Sequence, residues 1–186
     1  LILPLEEMTQ PEDLFDFFES NGLIIGLISI TSLVLQIALI GGLWVSYMAI
    51  DSKQDISPIS ALQAGLTKFF PILGAYILIV IASTFGFILL ILPGVYLLAR
   101  FSLFGAYIMF EDSKVFESIS ASWEKTDEHG SRLFVFTLVF GLLILIGVLI
   151  ITAVVPDGYA QTAINVTIEY AMTIPLGYIY FTLYKS

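Results

Sequence analysis

The chain has 186 residues, 58% of them hydrophobic and 12% charged, with a formal net charge of −9 and no cysteine. That charged fraction is about half of what a soluble domain carries, and long apolar blocks with a mean hydropathy of +0.97 argue against a water-soluble globule. The acidic balance argues against nucleic acid as a partner, and the missing cysteine removes disulfides, thiolate metal sites and cysteine nucleophiles.

A spanning helix needs about 20 apolar residues, and transmembrane barrel strands would alternate apolar with polar positions. The apolar blocks do not alternate. They predict an all-α, polytopic membrane helix bundle, a single domain over 1–186 with five spans. The first residue is Leu1 with no basic region before the first apolar block. This reads as an internal start in a longer protein, not as a signal peptide.

Residues 10–20 set Leu14, Phe15, Phe17 and Phe18 against Glu12, Asp13, Asp16 and Glu19. Thr9 and Glu12 have capping-box spacing, and Asn21-Gly22 reads as a helix stop. The first span lies within 23–50. Residues 58–68 place Ile59, Leu62, Leu66 and then Phe69 on one face, with Ser57 as cap and Pro58 in the first turn. The second span lies within 69–92 and the third within 94–110, with Pro93-Gly94 between them as a tight hairpin turn.

Residues 114–125 repeat the amphipathic pattern, with Val115, Phe116, Ile119 and Trp123 on one face and Asp112 or Ser113 as cap. All three segments, 10–20, 58–68 and 114–125, predict amphipathic helices lying in the membrane interface. The fourth span lies within 132–155 and the fifth within 162–184, joined by Pro156-Asp157-Gly158 as a second hairpin. The two amphipathic segments also align without a gap: ISALQAGLTK (59–68) lies over FESISASWEK (116–125). Each copy precedes a hairpin, so the unit of interfacial helix, span, turn and span occurs twice, as repeats do in membrane folds.

With five spans, Lys53, Lys68, Lys114, Lys125, Arg132 and Lys185 all fall on one side, and none falls on the other. The positive-inside rule makes their side cytoplasmic. The fragment then begins outside, with Glu6, Glu7 and the acidic residues of 12–19 exterior, and ends inside.

Two ionisable residues lie well inside the expected spans, Arg100 and Glu169. A charge at mid-membrane is costly and faces protein, pairs or snorkels. Counted from their outer turns at 1.5 Å per residue, both sit roughly 10 Å deep, so they form a candidate ion pair or a lipid or ion site. Pro175 predicts a kink that frees the carbonyl near Ala171. Small-residue pairs such as Ala38 with Gly42, Ala82 with Gly86, and Ser102 with Ala106 predict close helix contact. Single His129, beside Asp127 and Glu128, reads as a solvated loop residue and not a metal ligand. No catalytic set, metal site or cofactor motif is present, so the residues give no enzyme reading.

The run ILPGVYLLARFSLFGAYIMFEDSKVFESISASWEKT (91–126) resembles the YciC family of uncharacterised bacterial inner-membrane proteins. It is similar, more loosely, to the membrane domain attached to some glycerophosphodiester phosphodiesterases. The shared pattern is Leu92-Pro93-Gly94, an apolar span with Arg100, the exit Glu111-Asp112, and an amphipathic helix ending at Ser122-Trp123-Glu124. The resemblance covers roughly 58–150 and implies a six-span protein of the bacterial inner membrane in lipid surroundings, with no catalytic residue to carry over. The function expected is a non-enzymatic scaffold or accessory subunit of a larger membrane complex, acting by helix packing and contact with membrane lipids. The alternative is a small transporter or lipid-handling protein, motivated by the repeats, Pro175 and the Arg100–Glu169 pair.

Overall fold

The computed structural model describes residues 11–186, and within them the chain is helical with no strand. In order these are α1 (Pro11–Asp51), α2 (Pro58–Thr67), α3 (Phe69–Leu89), α4 (Ile91–Arg100), α5 (Phe104–Glu111), α6 (Val115–Lys125), α7 (Gly130–Val154) and α8 (Tyr159–Lys185). The contacts divide the chain inside α1, into a unit ending at Gln36 and a unit Ile37–Ser186.

Four stretches are long and apolar enough to cross a membrane: Phe15–Asp51, Phe69–Leu89, Ile91–Glu111 and Gly130–Val154. The chain is therefore a multi-helix membrane protein. α8 has 27 residues, but Gln161, Asn165 and Glu169 dilute its apolar density below that of the other four.

In the unit ending at Gln36, α1 runs past Asn21-Gly22 without a break. The expected stop does not form, because no residue there leaves the helix conformation and the Asn21 amide donates back to the Phe17 carbonyl at 3.0 Å. Thr9, Glu6 and Glu7 lie outside the described residues.

Within Ile37–Ser186, α2 and α6 each fold back on the helix before them. Their buried faces are not the bulky apolar stripes. Ala61 and Gly65 are buried on α2, and Ser118 and Ser122 on α6. These pairs occupy matching positions in the two copies, so the repeat seen in the sequence is a repeat of contacts. In the first copy the seam is backbone on backbone. A Cβ on Gly65 would lie 2.2 Å from the Ala38 carbonyl oxygen, and one on Gly41 would lie 2.6 Å from the Gly65 Cα. Ile59, Leu66 and Phe116 stay exposed, which suits helices that show protein one face and lipid another.

The caps differ in the two copies. Ser57 Oγ accepts the Ser60 N–H at 3.1 Å, as expected. At α6 neither Asp112 nor Ser113 is the cap. Asp112 adopts a left-handed conformation (φ 58°) that ends α5, and Glu117 closes the α6 N-terminus by accepting the Lys114 N–H at 3.0 Å.

The α3–α4 turn also differs from expectation. Only Leu90 is extended, and Pro93-Gly94 sit in the first turn of α4. Proline is at ease there because its missing N–H has no helical acceptor to lose. Gly94 serves close packing instead of turning: a Cβ on Gly86 would lie 2.8 Å from the Gly94 Cα. The expected third span is likewise two helices, α4 and α5, interrupted at Phe101–Leu103.

The ends of α1, α5 and α8 converge on an aromatic cluster. Trp44, Tyr47, Leu103, Ala106, Tyr180 and Phe181 are buried there, with Tyr107, Phe110 and Tyr184 packed around them. A second cluster joins Ile37, Ile72, Ala75 and Ile108. By contrast, α7 carries exposed Leu142, Leu143, Leu145, Ile146, Leu149 and Ile150.

Candidate functional site

The site begins with a break. α4 ends at Arg100, and the irregular turn Phe101–Leu103 leaves the Arg100 carbonyl and the Leu103 N–H to partners outside the helix. Ser122 of α6 fills the gap. Its hydroxyl donates to the Arg100 carbonyl at 2.8 Å and accepts the Leu103 N–H at 3.0 Å. Thr126 donates to the same Arg100 carbonyl at 3.2 Å.

The Arg100 side chain answers in the other direction. It is 1% exposed. Nη1 donates to the Thr126 carbonyl at 3.0 Å, and Nη2 donates to the Trp123 carbonyl at 2.8 Å and to Asp127 Oδ1 at 2.8 Å. The guanidinium also lies 4.2 Å from the Trp123 ring centre and 5.8 Å from that of Tyr96. Trp123 lies in the last turn of α6 and Thr126 is its C-cap, at the negative end of the helix dipole; the Thr126 carbonyl also accepts the His129 N–H at 3.2 Å. A fork-shaped cation with several N–H groups matches that end well. Arg100 thus closes α6 at its C-terminus, and α6 in turn closes the break after Arg100.

Gly130 makes room for this arrangement. A Cβ there would lie 2.9 Å from Arg100 Nη1, so the first turn of α7 lies directly on the guanidinium. The only signal of this in the sequence is a glycine directly after the segment 126–129.

The expected pairing of Arg100 with Glu169 does not form. Arg100 pairs with Asp127, whereas Glu169 is exposed on α8 and joins no ion pair among the described residues. An equal depth for the two residues requires a turn at Pro93-Gly94 and an unbroken span, whereas α4 begins at Ile91 and ends at Arg100. The break after Arg100 instead turns its side chain to α6. Near Glu169, Asn165 Oδ1 is buried without a partner.

Pro175 lies inside α8 without ending it. The carbonyl that gains a new partner nearby is not Ala171's. Tyr47 donates its hydroxyl to the Ile174 carbonyl at 2.9 Å, and Gly177 leaves space for the Tyr47 ring, since a Cβ there would lie 2.4 Å from its oxygen.

An open cleft of about 440 Å³ is lined by Glu124, Lys125, Asp127, Glu128, His129 and Leu183. Among the described residues no three His, Cys, Asp or Glu side chains are grouped to hold a metal. Two ion pairs, Lys68 with Asp112 and Lys185 with Asp51, tie helix ends together at the surface.

No family model, no curated protein and no solved structure matches this chain.

Proposed function

We propose that this protein is a non-enzymatic scaffold or accessory subunit of a bacterial inner membrane, with the Lys- and Arg-bearing helix ends on the cytoplasmic side. The observation that carries the reading is the use made of Arg100. The charge most suggestive of a transport or lipid site is spent on closing α6, with two carbonyls, one carboxylate and two aromatic rings around it. The charge pair that motivated a transporter is absent among the described residues. What the molecule offers instead is surface: the leucine-rich flank of α7 and the outward apolar residues of α2 and α6. In a bilayer such surfaces hold lipid or a neighbouring helix. α8, with its lower hydropathy, completes the α7–α8 hairpin as the last span of the bundle.

Purification from native membranes in a mild detergent tests this. The scaffold reading expects a partner protein at a fixed ratio, which leucine-to-alanine changes along the α7 flank release. Recovery of the chain alone from every mild extraction contradicts it.

A further inference from the structure

We propose that the outer face of α8 around Glu169 docks a membrane helix of another protein, one that carries a lysine or arginine at mid-depth. The inference deepens the accessory-subunit reading and rests on it, with α8 as the last span of the bundle.

The first observation is where Glu169 stands. Asp157 lies twelve residues before it and Lys185 sixteen after it, roughly 18 Å and 24 Å along a helix that rises 1.5 Å per residue. Pro175 does not end α8 between them. The hydrocarbon layer is about 30 Å thick. With Asp157 and Lys185 at its two faces, Glu169 lies near the middle.

The second observation is what surrounds it. α8 turns Ile168 to Gly147 and Tyr180 to Thr137 of α7, and its Ile174 carbonyl and Gly177 meet Tyr47. Glu169 belongs to neither contact. It is exposed, and so are Val166, Tyr170 and Thr173 beside it. It makes no hydrogen bond or ion pair among the described residues. The neighbouring Thr162 and Thr167 hydroxyls donate to carbonyls of their own helix, those of Gly158 and Ala163. A carboxylate held among acyl chains is costly unless a partner answers it.

The third observation is that this chain has no cation to answer with. Of its seven Lys and Arg residues, Arg100 is 1% exposed and already holds Asp127 and two carbonyls. Lys53, Lys68, Lys114, Lys125, Arg132 and Lys185 stand in links or in the first and last turns of helices. No Lys or Arg precedes residue 53, so α1 supplies none over its whole length. A second copy of the chain fails for the same reason, since it brings a carboxylate or an apolar face to Glu169. The complement is a basic side chain on a foreign span. Such a residue is equally costly alone in the layer, so each helix gains by meeting the other. Thr173, one turn on, adds a hydroxyl to the same face for bonding between helices.

Photocross-linking of the full chain in native membranes tests this, with benzoylphenylalanine placed at Val166 or Thr173 on either side of Glu169, or at Leu149 on the α7 flank. Adducts are mapped to the residue by mass spectrometry. Positions 166 and 173 should cross-link one and the same protein, within a span that carries Lys or Arg. Glu169→Gln should lower the yield at least about tenfold, as removal of one member of a desolvated charge pair does, with the size-exclusion profile unchanged. Glu169→Lys should abolish the product, and exchanging the partner's basic residue for Glu should restore it. An adduct from 166 or 173 with a second copy, with a span lacking Lys and Arg, or with no protein overturns the inference. A yield that Glu169→Gln leaves unchanged also overturns it. In each of those cases a partner cross-linked from position 149 leaves the accessory-subunit reading standing, whereas no protein adduct from any of the three positions overturns both.

Discussion

The two repeats of this chain solve one packing problem with different chemistry. Each lays a short helix back along the helix before it, through two small residues at equivalent positions. The first uses Ala61 and Gly65 against the unbroken backbone of α1, and the second uses Ser118 and Ser122 against a broken one. Where the backbone is continuous, its polar groups are satisfied and the best neighbour is one without a side chain. Where it is interrupted at Phe101–Leu103, the freed Arg100 carbonyl and Leu103 N–H need hydroxyls, supplied by Ser122 and Thr126. The lesson is that helix breaks in this protein select the residues that pack on them. Ser122 and Arg100 form a reciprocal pair, each satisfying the backbone that the other's helix leaves open.

The comparison can be broken most severely at its tightest point. Gly65→Val should cost at least about 3 kcal/mol, since even a Cβ would lie 2.2 Å from a backbone oxygen that cannot move aside. The expected outcome is loss of a monodisperse species on size exclusion in detergent. Next is Arg100→Leu. It removes the charge together with the donors to the Thr126 and Trp123 carbonyls, while Asp127, 75% exposed, stays solvated. The Thr126 carbonyl keeps the His129 N–H and the Trp123 carbonyl keeps the Thr126 hydroxyl, so the loss is that of the charge-assisted bonds, about 2 kcal/mol, read as a fall in thermal unfolding temperature. Arg100→Lys should recover only part of it, because a point charge does not reach three acceptors in a fork.

A sharper cut is Ser122→Ala, which keeps the size but leaves the Leu103 N–H and one bond to the Arg100 carbonyl unmade. It should cost about 1–2 kcal/mol, whereas Ala61→Ser in the first repeat gains no such bond and should not stabilise. The smallest effect is expected at the helix ends. Lys185→Ala removes a surface ion pair with Asp51 and should cost under about 1 kcal/mol, less still at high salt.

Much of this was legible in the residues. Ser57 and Pro58 announced α2, and the gapless alignment of the two amphipathic segments held down to which positions are buried. Hydropathy predicted five spans, and four stretches of the described residues are long and apolar enough to cross a membrane. The misreadings share one physical cause, which is that local signals do not report what a residue touches. Pro93-Gly94 has the composition of a turn, but proline is equally suited to a first helical turn, and Gly94 is needed where α3 and α4 nearly meet. The apolar stripes of α2 and α6 drew attention away from the small residues that make the contacts. Asn21-Gly22 could end a helix, but nothing there requires it. Arg100 and Glu169 both break the apolar rule in the sequence, but only Arg100 is buried. Its partner lay 27 positions on, across a break that no periodicity signals.

The central claim is that Arg100 closes α6 and does not take part in a charge pair with Glu169. A double-mutant cycle on thermal or denaturant stability in detergent tests it directly, with Arg100→Gln and Glu169→Gln alone and together. The account predicts that the two changes add to within about 0.5 kcal/mol, as independent sites do, with nearly all of the loss carried by Arg100→Gln. A coupling above about 1 kcal/mol between Arg100 and Glu169 would contradict it.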